Sequence, residues 1–279
     1  MYRSTESLVH ARSEFSTIMQ ITSTRNPFLK DVRRAAAEGC PTQDGLIVAE
    51  GPHLLEEALR SEWRLEKVLT TPEARRRHAD LLSRADAELV EISDHAFESA
   101  SATETGQGVL TLLRPRQWSW DDLIAGRTML IALDRIQDPG NAGTMVRSAE
   151  AFGATGIVLT TGSVRVSNGK FLRGAAGSLF RMPFQERVSV RELTAIASEQ
   201  RLTLYALTGR ADRDFTGADL TIPCAFCVGS EGVGLSDELL ASAVRLRIPV
   251  SRVESLNAAV ACSIALYEAN RQRSARANR

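Results

Sequence analysis

Five consecutive apolar residues, Met129-Leu130-Ile131-Ala132-Leu133, give way at once to a polar stretch and then to a helical one. No other junction constrains the chain as much. The run is short and unbroken, as a strand buried on both faces requires. Asp134 to Gly140 ends it, with Pro139 and Gly140 marking a loop. Asn141 is a suitable N-cap for a helix over 142–152, and Gly153 supplies the stop. Arg147 then falls in the second turn. A strand handing over to a helix in this way places the polar loop at the carboxyl end of a sheet, where α/β proteins bind ligands.

The same alternation runs along the rest of the chain. Upstream, strands are expected over 45–51, 65–70, 89–92 and 108–113, with helices over 28–38, 52–61, 81–87 and 95–101. Downstream, strands are expected over 156–160, 202–207, 224–228 and 244–248. Helices are expected over 170–180, 189–200 with a Ser189…Glu192 capping box, 236–243 and 255–273. In the last of these, Leu256, Val260, Ile264 and Tyr267 share one face. Residues 115–126, with Trp118 and Trp120, show no strand period. The fold class is therefore α/β, in four pieces: a loose extension 1–18 ahead of Met19, a first domain 19–113, a linker 114–127 and a second domain 128–279. Strands alternating with helices in the second domain predict a parallel sheet covered on both faces.

Formal net charge is zero, so any nucleic-acid contact must come from local basic patches. No apolar run approaches the roughly 18 residues that span a bilayer, and the first twenty residues have no apolar core of a signal peptide. Four cysteines in such a chain predict a reduced, cytoplasmic protein without membrane attachment.

The chemistry-bearing residues are unevenly placed. No G-x-G-x-x-G follows the 129–133 strand, so a dinucleotide loop is absent there. Glycines cluster instead after the 224–228 strand, at Gly229, Gly232 and Gly234 around Glu231, where they let backbone approach a ligand. All four histidines (His10, His53, His78, His95) precede the second domain, which argues against a histidine base. Cys224 and Cys227 stand three apart on a strand and so face opposite sides, which predicts core packing and no metal. Arg25, Lys30, Arg33 and Arg34 form one basic cluster and Arg75-Arg76-Arg77-His78 another. Each can neutralise RNA phosphates or simply be solvated charge. The same two readings stand for Arg271, Arg273, Arg276 and Arg279.

Three segments carry a family resemblance. D-x-x-x-D-P-x-N-x-G-x-x-x-R from Asp134 to Arg147 is the first. Val228-Gly229-Ser230-Glu231-Gly232-Val233-Gly234-Leu235 is the second, and Ile248-Pro249-Val250 followed by Glu254-Ser255-Leu256-Asn257 is the third. In this order they resemble the signatures of SpoU/TrmH-type RNA ribose 2′-O-methyltransferases of the SPOUT class. The N-P-x-x-K and V-A-E-G pieces are similar to the L30e-like substrate-binding domain that precedes many such enzymes. The resemblance implies a deep trefoil knot, which no spacing could reveal. It implies S-adenosylmethionine held by Thr208, Gly209, Gly229, Gly232, Ile248, Pro249 and Leu256. The catalytic set it implies is Asn141, Arg147, Glu231, Ser255 and Asn257, in a homodimer whose active sites form at the subunit interface. RNA would be met by Arg25, Lys30, Arg33 and Arg34, and the two-domain plan favours ribosomal RNA.

Arg147 is the family's proposed base, yet a guanidinium stays protonated and suits a phosphate clamp better. Asn141, Ser255 and Asn257 would also cap helices. Two departures stand out. Ala175 replaces a serine found in many relatives, and the 248–254 segment is one residue short and lacks the usual glycine. The alternatives are an inactive RNA-binding protein of the same fold and a transfer-RNA 2′-O-methyltransferase. Retention of all five polar residues favours the active enzyme.

Overall fold

The computed structural model describes residues 19–103 and 105–277. The expected extension 1–18, and Arg279 of the basic tail, lie outside them. The first sheet comprises β1 (Met19–Ile21), β2 (Ile47–Glu50), β3 (Arg64–Thr70), β4 (Glu88–Ile92) and β5 (Val109–Arg114). Their order is β1-β4-β3-β5-β2, with β5 antiparallel to both its neighbours and the other pairs parallel. Helices α1 (Pro27–Glu38), α2 (Pro52–Ala58), α3 (Pro72–Arg77), α4 (Ala79–Leu82) and α5 (Asp94–Ala100) connect them. α1 begins as its sequence predicts: the Asn26 side chain accepts from the Phe28 N–H and Pro27 takes the first turn. It stops at Gly39, whose φ of 62° suits glycine.

The linker is not structureless. It folds into α6 (Trp120–Leu123), closed by a reciprocal Ser119–Asp122 capping box, and buries Leu123 fully. At Ser189, where a box was expected, the serine accepts from the Glu192 N–H in the ordinary way.

The second sheet contains β6 (Met129–Asp134), β7 (Gly156–Thr160), β8 (Phe184–Val188), β9 (Thr203–Leu207), β10 (Cys224–Gly229) and β11 (Val244–Leu246). The order is β11-β9-β10-β6-β7-β8 and every pairing is parallel. On one face lie α7 (Pro139–Ala151), α8 (Gly169–Ala175), α9 (Ser178–Arg181) and α12 (Ala258–Ala277). On the other lie α6, α10 (Val190–Glu199) and α11 (Asp237–Ser242). Cys224 belongs to one face and Cys227 to the other, as strand alternation requires. Burial pushes the Cys224 thiol up to about 11, and Cys227 and Cys262 to about 12.

Three expectations are corrected. Phe184–Val188 is a strand that its polar middle concealed. The 170–180 helix is broken, because Ala176 and Gly177 adopt left-handed φ values of 46° and 87°. A Cβ on Gly177 would lie 2.4 Å from the Glu57 carboxylate of α2, so the break packs against the first domain and needs glycine there. Lastly, α12 turns another face inward than its large apolar residues suggested. Ala259, Cys262, Ala265, Leu266 and Ala269 are buried, whereas Val260 and Tyr267 are 46% and 56% exposed. Small residues let α12 lie close against α7 and the sheet.

The break at 176–177 delivers Arg181 to a junction between the domains. Its guanidinium donates to Glu57 of α2 (2.5 Å) and, bidentately, to Glu150 of α7 (2.6 and 3.0 Å). The Arg181 contacts hold the Glu150 carboxyl below its ordinary range. Beside it, Trp63 packs edge-on to Phe180 at 4.9 Å.

The described arginines of the basic tail are committed to the chain itself. Arg273 donates from Nε to the Leu220 carbonyl (2.9 Å), from Nη1 to Arg127 (2.6 Å) and from Nη2 to Thr128 and Ile222 (3.0 and 2.8 Å). Arg271 pairs with Glu268, and Arg276 donates to Thr221 Oγ1. Arg273→Ala should lower stability by about 2 kcal/mol or more, because it strands several half-buried carbonyls at once. Arg276→Ala should leave the urea midpoint unmoved. Equal midpoints for the two variants would show that Arg273 is no staple.

Candidate active site

The carboxyl ends of β6, β9 and β10 lie side by side and supply the site's frame. Asp134, fully buried at the end of β6, accepts the Ser236 N–H on Oδ2 (2.7 Å) and the Thr160 hydroxyl on Oδ1 (3.0 Å). It thus ties the segment after β10 to β6 and β7. That segment turns tightly, with the Gly234 N–H donating to the Ser230 carbonyl (2.8 Å). A Cβ on Gly229 would stand 2.2 Å from the Gly234 carbonyl carbon, so no other residue fits there.

Asn141 does not cap α7, contrary to expectation. Asp138 does: its Oδ1 accepts the Asn141 backbone N–H at 2.6 Å, and Pro139 occupies the first turn. Aspartate directly before proline was the available signal, since proline fits the first helical position. The Asn141 side chain is therefore free, and its Nδ2 donates to Glu231 Oε1 (3.0 Å). Asn257 Nδ2 donates to the same oxygen (2.5 Å) and to Asn141 Oδ1 (3.1 Å). Asn257 is also the cap of α12, its Oδ1 accepting from the Ala259 and Val260 N–H groups (2.9 and 3.2 Å). Capping fixes that amide: the oxygen must face the helix, so the NH₂ must face Glu231. Ser255 does not share the cap, because α12 begins only at Ala258.

Beside this trio a cavity of about 610 Å³ opens between the ends of β9 and β10 and the 248–256 segment. Thr208, Gly209, Gly229, Ile248, Pro249 and Leu256 line it, as do Glu231, Ser255 and Asn257. Gly232, also expected there, sits exposed on its loop, with open space where a Cβ would stand. Arg147 does not line the cavity either. It is exposed on α7 and forms no hydrogen bond or ion pair with a described residue. Ala175, at the departure from the family pattern, is fully buried.

The cavity's size suits a nucleoside-bearing ligand. Leu207, Val228 and Ala261 add apolar wall suited to an adenine ring, and the carboxylates of Glu231 and Glu254 suit a ligand carrying positive charge. S-adenosylmethionine meets each requirement. Among the described residues no group of His, Cys, Asp or Glu converges to hold a metal ion.

The first basic cluster is dispersed. Arg25 and Lys30 are exposed and unpaired among the described residues. Arg34 is held by Asp31 (2.6 Å) and the Pro41 carbonyl (3.1 Å). Arg33 is half-buried, with Nε and Nη2 covered and without a partner.

Fold and site together define a two-domain α/β protein with a small-molecule cavity at the carboxyl ends of parallel strands, flanked by an amide–carboxylate trio. Residues 128–267 match the SpoU rRNA Methylase family, and residues 26–111 match the MRM3-like substrate binding domain. The chain belongs to the SpoU rRNA Methylase family. It is 34% identical to an uncharacterized tRNA/rRNA methyltransferase of Synechocystis, over 92% of this chain and 95% of that one. It is 32% identical to the 23S rRNA (guanosine(2553)-2′-O)-methyltransferase RlmP of Bacillus subtilis, over 89% and 98%. A solved structure of an AdoMet-bound rRNA methyltransferase from Sinorhizobium meliloti superposes with a TM-score of 0.76 at 27% identity, over 91% and 98%.

The two caps separate stability from chemistry. Asp138→Ala and Asn257→Ala should each cost about 1 kcal/mol of unfolding free energy. Asn141→Ala should cost less than about 0.5 kcal/mol, measured by the same urea titration. An Asn141→Ala loss equal to that of Asp138→Ala would return the capping role to Asn141.

Proposed function

We propose that this protein is an S-adenosylmethionine-dependent methyltransferase that methylates a ribose 2′-OH in ribosomal RNA. The observation that carries the reading is the Asn141–Glu231–Asn257 trio set at the wall of the 610 Å³ cavity. Family membership and the activity of the RlmP relative support it. S-adenosylmethionine supplies the electrophilic methyl group when bound. The residues of the chain bind and align. Thr208, Gly209, Gly229, Ile248, Pro249 and Leu256 hold the cofactor in the cavity, largely through backbone groups. Glu231 takes both amides on Oε1 and has Oε2 without a partner among the described residues, available to a ribose hydroxyl. Alignment of that hydroxyl with the methyl group is where the rate is gained. Arg147 clamps the substrate phosphate, the role a permanently charged guanidinium suits.

The homodimer belongs to the same reading. α7 and α12 share an outward face on which Val260 and Tyr267 stand exposed beside the half-buried Ile264, with Phe152 against Tyr267 at 5.7 Å. Arg147 projects from α7 and, free of its own cavity, can serve a partner's. The trefoil threading implied by the resemblance fits the return of the 248–256 segment over β9, where the Glu254 carbonyl would meet a Cβ on Gly209 at 3.1 Å. The first domain is the substrate-binding unit.

The Arg147 test has two readouts. Arg147→Ala should abolish methyl transfer to unmodified ribosomal RNA while calorimetry shows S-adenosylmethionine affinity within a few-fold of wild type. Full activity in that variant removes Arg147 from the mechanism, and absence of cofactor binding in the folded wild type removes the methyltransferase reading. For the dimer, Tyr267→Glu should shift the mass measured by light scattering from two chains to one, and a wild-type monomer would end that part of the proposal.

A further inference from the structure

Between Thr161 and Gly177 the chain carries Arg165, Lys170 and Arg173 and no acidic residue. Arg165 and Lys170 are exposed, and neither side chain forms a hydrogen bond or ion pair with a described residue. Arg173 comes nearest to an acid at Glu50, 3.9 Å from its Nη1. Both Glu50 oxygens, however, already accept from residues 101–103. Arg173 Nη1 is covered and has no hydrogen-bond partner.

Close backbone approaches fix where this segment lies. A Cβ on Gly143 would stand 2.5 Å from the Gly174 carbonyl carbon, and one on Gly174 would stand 3.4 Å from the Pro139 carbonyl. α8 therefore lies against the first turns of α7, beside Asn141. Just before α8, the buried Ser167 hydroxyl donates to the Gly39 carbonyl at 2.6 Å, and a Cβ on Gly39 would come within 3.0 Å of Asn168 Nδ2. Gly39 ends α1, the helix of Lys30 and Arg33. The α8 segment thus spans the distance between the end of α1 and the amide–carboxylate trio, and two of its three cations, Arg165 and Lys170, have no carboxylate partner among the described residues. Arg33 of α1 also has covered nitrogens without a partner.

Cations left without carboxylates along a path that ends at a ribose-accepting trio fit a polyanion whose charges are regularly spaced. We infer that Arg165 and Lys170, with Arg173 held behind them by Glu50, form a phosphate-contacting surface over which the backbone of the substrate RNA passes from α1 to the Asn141–Glu231–Asn257 trio. The inference rests on RNA being the substrate. It assigns the α8 segment a role in backbone contact, not in reading bases.

The test is the double variant Arg165→Glu/Lys170→Glu in the full chain, with 23S ribosomal RNA transcribed in vitro as the probe. Arg191→Glu is the control, because Arg191 is 92% exposed on α10, across the sheet from α8. RNA affinity is measured over a salt series and S-adenosylmethionine affinity by calorimetry. The double variant should bind RNA about tenfold or more weakly near physiological salt, and its logarithmic salt slope should be shallower by about 1.5 for two lost phosphate contacts. Its cofactor affinity should be unchanged, and Arg191→Glu should match wild type throughout. Wild-type affinity and slope in the double variant would overturn the inference, as would an equal loss in Arg191→Glu, which would reduce the effect to general charge. A wild-type protein that binds the cofactor but not the RNA overturns the RNA reading itself, and the surface with it.

Discussion

The buried carboxylate of Asp134 holds the site together. It ends the central strand β6, and its two oxygens fasten the neighbours on either side, Thr160 of β7 and the backbone of Ser236 beyond β10. Hydrogen bonds to a charged group contribute about 1.5–3 kcal/mol each, and with the Arg135 guanidinium 3.8 Å away they offset the cost of burial. The turn from Ser230 to Gly234 is suspended between β10 and this anchor, so the position of Glu231 follows from it. The cavity follows in turn, since its wall is the same turn seen from the other side.

Economy at the helix ends completes the arrangement. Asp138 takes over the capping of α7 and so releases Asn141 for the trio. Asn257 does the opposite, using its oxygen on α12 and its nitrogen on Glu231. The two amides and one carboxylate are therefore oriented by secondary structure rather than by a dedicated scaffold. An asparagine whose amide is pinned by a helix loses little further freedom when it meets a ligand.

Much of this was readable in the chain, and the failures have distinct causes. The strand–loop–helix junction at 129–152 was legible because burial on both faces leaves a run no other residue type can imitate. Six of the seven residues expected to meet the cofactor fall on one cavity; Gly232 does not, because glycine spacing does not say which side of a turn faces inward. The cap was assigned to Asn141 although Asp138 stands three residues earlier, and only the proline between them decides. β8 gains its strand character from pairing with β7, which local sequence does not contain. The split of 170–180 has Glu57, more than a hundred residues away, packed against Gly177, a contact that local sequence does not contain. For α12, periodicity favoured the bulkiest side chains, whereas close helix packing favoured alanine and cysteine. The arginines divided similarly: Arg34 and Arg273 are spent on their own chain, and charge alone does not show a prior commitment.

The bridge of Arg181 between Glu57 and Glu150 has a consequence for how a large substrate is sorted. With Trp63 wedged beside it, the bridge joins α2 of the first domain to the helix that carries Asn141 and Arg147. The two halves are then not beads on a string, whose separation any folded polymer could satisfy by flexing the tether. They resemble a caliper set to one opening. On the proposed reading, in which the first domain grips the RNA, that opening sets the spacing between grip point and reacting sugar that a substrate has to match.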